Sequence, residues 1–227
     1  MLDTILFDMD GTLIDTEGYY NRCWVQAIRE AGYKMTPKRA LELRSLGRPY
    51  APEWFQRNLG PDANYQAIRS RRKELMNHLL ETEGLRLKPG VVPLLDTIRK
   101  KGMRAVIVTA TDLERTTDYL GRLQIADRFD RIICAGMVER GKPAPDIYRY
   151  ACEQAQRSPR DCLAVEDSPN GVKSAAAAGC RVVMVPDQSE PDEKLMRLIE
   201  RKAGSLDELR RWLEDGDFSK NSDCGPL

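Results

Sequence analysis

The chain has 227 residues, of which 41% are hydrophobic and 31% are charged, a profile typical of a soluble globular protein. Its 36 basic and 35 acidic residues leave a net charge of +1, so no charge excess indicates a nucleic-acid or acidic-membrane partner. No apolar run approaches the roughly 20 residues that a membrane-spanning helix needs. The length suits one sizeable domain, or a core with a smaller insert.

The start of the chain and its cysteines indicate the compartment. Acidic residues appear at once, with no basic leader before an apolar stretch, which argues against a signal peptide. The six cysteines form no Cys-x-x-Cys pair and no spacing typical of a metal site. We therefore expect reduced, buried thiols and a cytoplasmic protein. The single histidine, His78, lies in a helical pattern and is interpreted as a packing or surface residue.

Five short apolar runs rich in β-branched residues predict the strands of the fold. All but the first are separated by helical segments, and near-continuous apolar strands of this kind are typical of a parallel sheet with helices on both faces. The sequence therefore predicts an α/β protein with a three-layer, Rossmann-like core. The predicted strands are Thr4–Phe7, Arg104–Val108, Arg131–Cys134, Cys162–Val165 and Arg181–Val185.

Several predicted helices carry clear signals at their ends. The runs Thr111-Asp112-Leu113-Glu114 and Ser205-Leu206-Asp207-Glu208 are typical of capping boxes. Ser168-Pro169 predicts an N-cap followed by a proline at the first helical position, and Gly179 is predicted to end the same helix.

The stretch from residue 16 to residue 88 differs from the rest, because it contains no convincing strand. Apolar and aromatic residues recur there at helical spacing, which is typical of helices that pack around a core. We predict an all-helical cap domain, residues 16–88, inserted into a discontinuous catalytic core of residues 1–15 and 89–215. Glycine and proline near the two crossings, Asp15–Gly18 and Lys88-Pro89-Gly90, suit a hinge.

Two polar segments are predicted to be exposed. The basic run Arg69-Ser70-Arg71-Arg72-Lys73 lies within a helical pattern and is interpreted as a solvated helix face, or as a surface that steers a small phosphorylated ligand. Residues 216–227 are polar and are predicted to form a disordered tail.

Groups suited to catalysis follow four of the predicted strands. In an open parallel sheet, ligands bind beyond the carboxyl ends of the strands. Four segments distant in sequence therefore bring acids, a hydroxyl and one cation to a single edge of the sheet. The groups are Asp8 and Asp10 after the first strand, Thr109 after the second, Lys142 in the loop after the third, and Glu166 and Asp167 after the fourth.

A cluster of this composition would need a cation and could bind a phosphate. Its carboxylates would repel one another without a cation, and an all-oxygen site favours a hard ion such as Mg²⁺. With a phosphate bound, Lys142 and the metal would neutralise the phosphoryl oxygens, while Thr109 and backbone N–H groups held them. One aspartate could attack phosphorus, and the second, two residues on, could act as general acid and base.

These four segments together resemble the signature motifs of the haloacid-dehalogenase-like superfamily. A helical segment after the first strand is similar to the cap of the subgroup that contains phosphoglycolate phosphatases and β-phosphoglucomutases. The resemblance covers nearly the whole chain, and its motifs are specific for the superfamily but not for a substrate. The matching segments are residues 8–13 (Asp-Met-Asp-Gly-Thr-Leu), 106–111, 141–146 and 165–171.

The resemblance implies a role for each matched residue. Asp8 resembles the nucleophile and a magnesium ligand, and Asp10 resembles the general acid/base, its backbone carbonyl also meeting the metal. Thr109 and Lys142 resemble the phosphate-binding pair, joined by the backbone N–H of Ala110. The acids that match the remaining magnesium ligands are Glu166 and Asp167.

Departures from related subgroups favour hydrolysis. Tyr20 stands where the first cap helix of β-phosphoglucomutases carries a histidine, and Thr12 stands where the mutases tend to have valine. Asp10 argues against a true dehalogenase, which lacks the second aspartate. No cap lysine has a context resembling that of the Schiff-base lysine of the phosphonate-cleaving subgroup.

We therefore predict a magnesium-dependent phosphatase for a small phosphorylated metabolite, such as a sugar phosphate, that acts as a monomer or weak homodimer without nucleic-acid or membrane partners. The nearest alternative is a sugar phosphomutase, which would need a bisphosphate activator. A second alternative is a non-catalytic module that binds a metabolite or protein. Arg44, Ser45, Gly47 and Arg48 are either substrate contacts or an ordinary polar loop between helices.

Overall fold

A parallel sheet of six strands forms the centre of the molecule, for which a computed structural model describes residues 2–218. The strand order is β3-β2-β1-β4-β5-β6, and every neighbouring pair is parallel. The predicted α/β architecture is therefore confirmed, with β1 at the middle of the sheet. The strands are β1 (Thr4–Phe7), β2 (Arg104–Thr109), β3 (Arg131–Cys134), β4 (Cys162–Glu166), β5 (Arg181–Met184) and β6 (Arg201–Lys202).

Three strand boundaries and one strand differ from the prediction. Thr109 and Glu166 belong to β2 and β4, since Thr109 pairs with Cys134 in register and Glu166 with Met184. Strand β5 ends one residue earlier than predicted. The short edge strand β6 was not predicted, because two consecutive basic residues carry no apolar or alternating pattern.

Helices cover both faces of the sheet. On one face, β1 places Ile5 and Phe7 in a buried cluster with residues of α5, α6 and α10. On the other face, Leu6 packs in a second cluster with residues of α7, α8 and α9. Within residues 2–218 the α-helices are α1 (Glu17–Glu30), α2 (Pro37–Ala40), α3 (Tyr50–Leu59), α4 (Tyr65–Thr82), α5 (Val91–Lys100), α6 (Leu113–Arg122), α7 (Asp146–Gln154), α8 (Pro169–Ala178), α9 (Glu193–Met196) and α10 (Leu206–Glu214).

Most of the predicted helix ends are confirmed. The Ser168 hydroxyl caps α8 by accepting a hydrogen bond from the backbone N–H of Gly171, and Gly179 ends that helix with a φ of 88°. Ser205 caps α10 through the N–H of Glu208. The carboxylate of Glu208, however, accepts from the N–H of Gly204 rather than from that of the N-cap residue, so this capping box is incomplete.

The predicted capping box at Thr111 is wrong. The N-cap of α6 is Asp112, whose carboxylate accepts a hydrogen bond from the backbone N–H of Arg115 at 3.1 Å. The Thr111 hydroxyl instead donates to Asp10 Oδ2 at 2.7 Å. A side chain that binds an active-site candidate therefore stands where a structural cap was expected.

Helices α1 to α4 pack around a third buried cluster. Its centre is Phe55, whose ring lies 5.6 Å from Trp24, 5.5 Å from Trp54 and 5.0 Å from Tyr65 between centroids. Farther along α4, Met76 and Leu80 pack instead with the cluster on the sheet. The helical segment therefore contacts the sheet layer through apolar side chains, and the domain boundaries at residues 15/16 and 88/89 stay a prediction.

The chain enters and leaves the helical segment at adjacent points. The N–H of Asp15 donates to Arg86 O at 2.9 Å, and the N–H of Lys88 donates to Leu13 O at 2.9 Å. These bonds surround an isolated antiparallel bridge between Ile14 and Leu87. The two crossings are therefore tied to each other directly next to the Asp8–Asp10 segment.

The predictions for the exposed segments are only partly correct. Arg71 is exposed and pairs with Glu30 and Glu74, but Arg72 is buried, so the basic run is not one solvated face. The predicted tail begins too early, because Phe218 is buried and its ring lies 6.2 Å from that of Trp212. Residues 219–227 of that tail lie outside the described residues.

The cysteines and the helices bear on two further expectations. The five cysteines within the described residues are free and buried, as expected for reduced thiols, and Cys224 lies outside that range. His78 is exposed on α4. Among the helices described, none combines the length and the apolar character required to cross a membrane.

Candidate active site

Lys142 lies at the centre of the candidate site and is completely buried. Its Nζ donates to Asp8 Oδ1 at 2.6 Å, to Glu166 Oε1 at 2.6 Å and to the backbone carbonyl of Val108 at 3.0 Å. Burial lowers the pKa of Lys142, but the carboxylates of Asp8 and Glu166 outweigh burial and raise it above its ordinary value. The amine is therefore a fixed positive charge between the ends of β1 and β4.

Glu166 is held in place from several sides. Its Oε1 accepts a second hydrogen bond from the Tyr148 hydroxyl at 2.6 Å, and its Oε2 lies 3.4 Å from Ser168 Oγ. The carboxylate lies directly against Gly171 in the first turn of α8, where a Cβ atom would lie only 1.9 Å from Oε2. Glycine at this position therefore provides the space that the carboxylate occupies.

Asp8, Glu166 and Asp167 form a group that could hold a metal ion. One oxygen from each lies within 4.8 Å of the others, and all three side chains are buried. Asp8 Oδ2 and Asp167 Oδ1 are buried with no hydrogen-bond partner among the described residues. Unpartnered anionic oxygens fit a hard cation, so these residues suit the predicted Mg²⁺.

The acidity of the group reflects its burial. Burial raises the pKa of Asp8 to about 8, against the lowering effect of Lys142. Burial, with Glu17 and Asp8 as the nearest like charges, raises the pKa of Asp167 well above its ordinary range. Each carboxylate would therefore ionise more readily with a cation beside it.

Asp10 lies next to this group but is held differently. Its Oδ1 accepts from the Thr16 hydroxyl at 2.6 Å and its Oδ2 from the Thr111 hydroxyl at 2.7 Å. Burial raises the pKa of Asp10, and these two hydroxyls oppose the rise. A carboxyl with an elevated pKa, fixed at both oxygens, has the properties of a general acid/base.

Thr109 and Ala110 lie where the sequence predicted, beside the two aspartates. Both line a cavity of about 490 Å³ between the carboxyl edge of the sheet and the helical segment, as do Asp8 and Asp10. The Thr109 hydroxyl is buried and accepts the N–H of Thr111 at 3.0 Å. These positions suit phosphate binding, and the individual roles of the residues stay predictions.

A loop of the helical segment closes over the site. The N–H of Gly47 donates to Lys142 O at 2.8 Å, and the N–H of Gly141 donates to Arg48 O at 2.7 Å. A Cβ atom on Gly47 would lie 2.6 Å from the Cα atom of Gly141, so this close approach of two backbones requires glycine. Part of the polar loop noted in the sequence therefore fixes the backbone beside Lys142.

Arg44, from the same loop, reaches Asp167, one of the candidate metal ligands. Its side chain is buried, its Nη1 lies 3.5 Å from Asp167 Oδ2, and its Nη2 donates to Ser189 Oγ at 2.6 Å. Arg44, Ser45, Gly47 and Arg48 all line the cavity, and their contact with a substrate stays a prediction.

Two site residues, Tyr148 and Glu17, were not identified from the sequence, and Arg72 was noted only within the basic run interpreted as a solvated face or as a ligand-steering surface. Tyr148 was not recognised because a residue at helical spacing is usually read as packing. Glu17 is buried at the start of α1, and burial raises its pKa well above the ordinary value. The available signal for Glu17 was an acidic residue directly after Asp15-Thr16 and seven residues after Asp10.

Comparisons with known proteins agree with this geometry. A family model described as haloacid dehalogenase-like hydrolase matches residues 2–179. Hexitol phosphatase A from Escherichia coli (strain K12) is 32% identical over 182 residues, which cover 79% of this chain and 81% of that protein. Protein CbbY from Rhodobacter capsulatus is 30% identical over 197 residues, with coverages of 82% and 86%.

A solved structure extends the agreement to three dimensions. A variant of CbbY from Rhodobacter sphaeroides, in complex with xylulose-(1,5)bisphosphate, has a TM-score of 0.76 and 27% identity. The match covers 92% of this chain and 96% of that one. The resemblance stated from the motifs, and the prediction of an enzyme, are therefore confirmed: the chain belongs to the haloacid dehalogenase-like hydrolases.

Proposed function

We propose that the protein is a magnesium-dependent phosphatase for a sugar phosphate or a similar small monoester, with Asp8 as the nucleophile. The observation that carries the proposal is the state of the Asp8 carboxylate. One of its oxygens is fixed by Lys142 at 2.6 Å, while the other is buried without a hydrogen-bond partner among residues 2–218, and Asp8 lines the cavity together with Thr109 and Asp10. Such an oxygen is oriented and incompletely solvated, as a nucleophile should be.

The surrounding residues divide the remaining work. Magnesium, held by Asp8 and Asp167 with the backbone carbonyl of Asp10, would supply positive charge against the phosphoryl oxygens. Lys142 adds a fixed positive charge at Asp8, and Thr109 with the N–H of Ala110 orients the phosphoryl group. Glu166 was predicted as a further ligand, and its bonds to Lys142 and Tyr148 favour a role in positioning Lys142.

The reaction then proceeds in two steps, formation and hydrolysis of a phosphoaspartate. A carboxylate oxygen of Asp8 attacks phosphorus, the bond from phosphorus to the leaving oxygen breaks, and Asp10 gives its proton to that oxygen. Asp10 next takes a proton from a water molecule, which attacks phosphorus and displaces Asp8. Inorganic phosphate leaves, and both aspartates return to their starting state.

The choice of substrate class rests on the relatives and on the cavity. One relative is a hexitol phosphatase, and one structural neighbour was solved with a sugar bisphosphate. A cavity of about 490 Å³ has the size of a small-metabolite site. We also retain a cytoplasmic location, supported by the buried free thiols, and a monomer or weak homodimer, as proposals.

The phosphomutase remains the alternative, without an observation that favours it. Tyr20 lines the cavity where the mutases were expected to carry a histidine, and His78 is exposed and is not among the lining residues. A mutase would leave the total phosphate ester unchanged, whereas a phosphatase releases inorganic phosphate. A binding module would bind a ligand without turnover.

The test is release of phosphate from a panel of sugar and polyol phosphates, with Mg²⁺ or with a chelator. We expect magnesium-dependent release that Asp8→Asn abolishes while its circular dichroism spectrum stays that of the wild type. The matched control is Asp62→Asn, which removes an exposed carboxylate and should keep full turnover. Turnover of the Asp8→Asn variant at the wild-type rate would remove Asp8 from the nucleophile role.

A further inference from the structure

Arg72 occupies a position in α4 where an apolar residue is expected. The buried residues of this helix recur every four positions, and Arg72 is the only charged member of the stripe. Its side chain is 7% exposed, although burying a guanidinium without an anionic partner is costly. The stripe consists of Ile68, Arg72, Met76 and Leu80.

Two aromatic rings hold the guanidinium of Arg72 in place, but they supply no hydrogen-bond acceptor for its N–H groups. The group lies 5.1 Å from the ring centroid of Tyr20 and 5.0 Å from that of Trp24, which stabilises the charge by cation–π interaction. Among residues 2–218, no ion pair or hydrogen bond to its side chain is found, and Nε is buried without a partner. Since a guanidinium has five N–H donors, Arg72 retains donors for an anion, and its charge also acts on the Asp10 carboxyl.

The open side of Arg72 faces the substrate cavity. Arg72 lines the cavity, and Arg69 and Arg115 line it as well. The donors of Arg115 contact the neutral oxygens of Tyr119 and Asn77, at 3.0 and 2.8 Å, so these contacts leave its charge unneutralised. Lys73 differs, because it pairs with Asp112 at 2.7 Å. The lining of the cavity thus includes three arginines together with Asp8 and Asp10, and the charges of Arg72 and Arg115 act to lower the pKa of Asp10.

We propose that Arg72, together with Arg69 and Arg115, binds a second anionic group of the substrate, a phosphate or a carboxylate, while the phosphoryl group that reacts lies at Asp8. The proposal rests on the proposed phosphatase function and narrows its substrate class to phosphate esters with two anionic ends. A planar guanidinium binds either anion through two parallel N–H bonds, so the same residue suits both. The aromatic rings of Tyr20 and Trp24 keep that guanidinium in position before the substrate arrives.

Matched pairs of substrates test the proposal and separate its two forms. Glucitol 6-phosphate and 6-phosphogluconate differ by a terminal carboxylate, and fructose 6-phosphate and fructose 1,6-bisphosphate differ by a second phosphate. We expect the wild type to have a kcat/KM about 10- to 100-fold higher for the member with two anionic groups in at least one pair, the range of a charged hydrogen bond. Ratios of one or below in both pairs would overturn the proposal, even with normal turnover of the monophosphates.

Variants connect the preference to Arg72. Arg72→Met keeps the length and the contact with the rings, and it should reduce the preference about 10-fold or more, mainly through KM. Arg71→Met removes an exposed charge from the same helix and should keep the preference. A preference unchanged in folded Arg72→Met would assign Arg72 to packing alone. If that variant does not fold, the wild-type ratios decide.

A binding experiment separates this proposal from the proposed function. Calorimetric titration of Asp8→Asn with each pair of compounds measures affinity without turnover. Stronger binding of the compound with two anionic groups would support the subsite even if the wild type released no phosphate from any compound. Equal binding within both pairs, beside magnesium-dependent phosphate release by the wild type, would refute the subsite and leave the phosphatase proposal intact.

Discussion

The contact between Gly171 and Glu166 gives a sharp prediction, because a single methyl group would displace the carboxylate. An alanine Cβ would lie 1.9 Å from Glu166 Oε2 and 2.0 Å from Cδ. An ordinary contact is at least about 3.4 Å, so the carboxylate must move by about 1.5 Å. That movement breaks the 2.6 Å bonds to Lys142 and Tyr148. The backbone of Gly171 is helical, so alanine adds no backbone strain.

The size of the effect follows from the contacts that are lost. Overpacking costs about 1–3 kcal/mol, and separating a buried ion pair adds to it, although Lys142 keeps Asp8 and the carbonyl of Val108. We expect the free energy of unfolding to fall by about 3 kcal/mol and the melting temperature by roughly 6–12 °C. Misplacing Lys142 by an ångström should lower kcat/KM about 100-fold.

The measurements are thermal unfolding and steady-state phosphate release for Gly171→Ala beside a matched control. Gly121→Ala makes the same change in α6, where no heavy atom of residues 2–218 lies within 4 Å of the new methyl group. This control should keep its activity and be unchanged or stabilised by up to about 1 kcal/mol. Wild-type melting and wild-type kinetics in Gly171→Ala would show that Glu166 does not need its observed position.

Two further predictions concern the pKa of Asp10 and the metal. Thr111→Val removes a hydroxyl that stabilises ionised Asp10, so the pKa of Asp10 should rise and the pH profile of kcat should move to higher pH. The control Thr111→Ser keeps the hydroxyl and should keep the profile. A shift of the Thr111→Val profile to lower pH would contradict the role of Asp10 as general acid/base. Mg²⁺ should raise the melting temperature of the wild type but not that of Asp167→Asn, because the ion stabilises the folded protein only where the carboxylate that binds it is present. Equal rises in both proteins would exclude Asp167 from the metal site.

The edge of the sheet that carries the candidate site could be predicted from the sequence because strand ends fix positions. Asp8, Lys142, Glu166 and Asp167 each lie at or beyond the carboxyl end of a parallel strand, and such ends meet at one edge of the sheet. The structure brings these four side chains into direct or near contact. Position along a strand was therefore sufficient to locate the cluster, although not the bond that each atom makes.

Residues on helices were harder to predict, since a helical period does not distinguish packing from function. Tyr148 has the spacing of a core residue, and it is one, yet its hydroxyl holds Glu166. Thr111 has the spacing of a cap, but its hydroxyl binds Asp10. Arg72 has the composition of a solvated run and the burial of a core residue. In each case the partner lies on another element, so local sequence carries no signal of the contact.

The distribution of buried charge connects the site, the metal and the substrate. Every buried charged side chain within residues 2–218 lies at this site or lines its cavity: Asp8, Asp10, Glu17, Glu166 and Asp167 against Arg44, Arg72 and Lys142. If all are ionised, the excess is two negative charges, the charge that one Mg²⁺ would balance. Without a cation, burial keeps the pKa values of Asp8 and Asp167 raised, so proton uptake offsets part of the excess. A phosphate ester adds negative charge, which the bound cation and the arginines that line the cavity would offset.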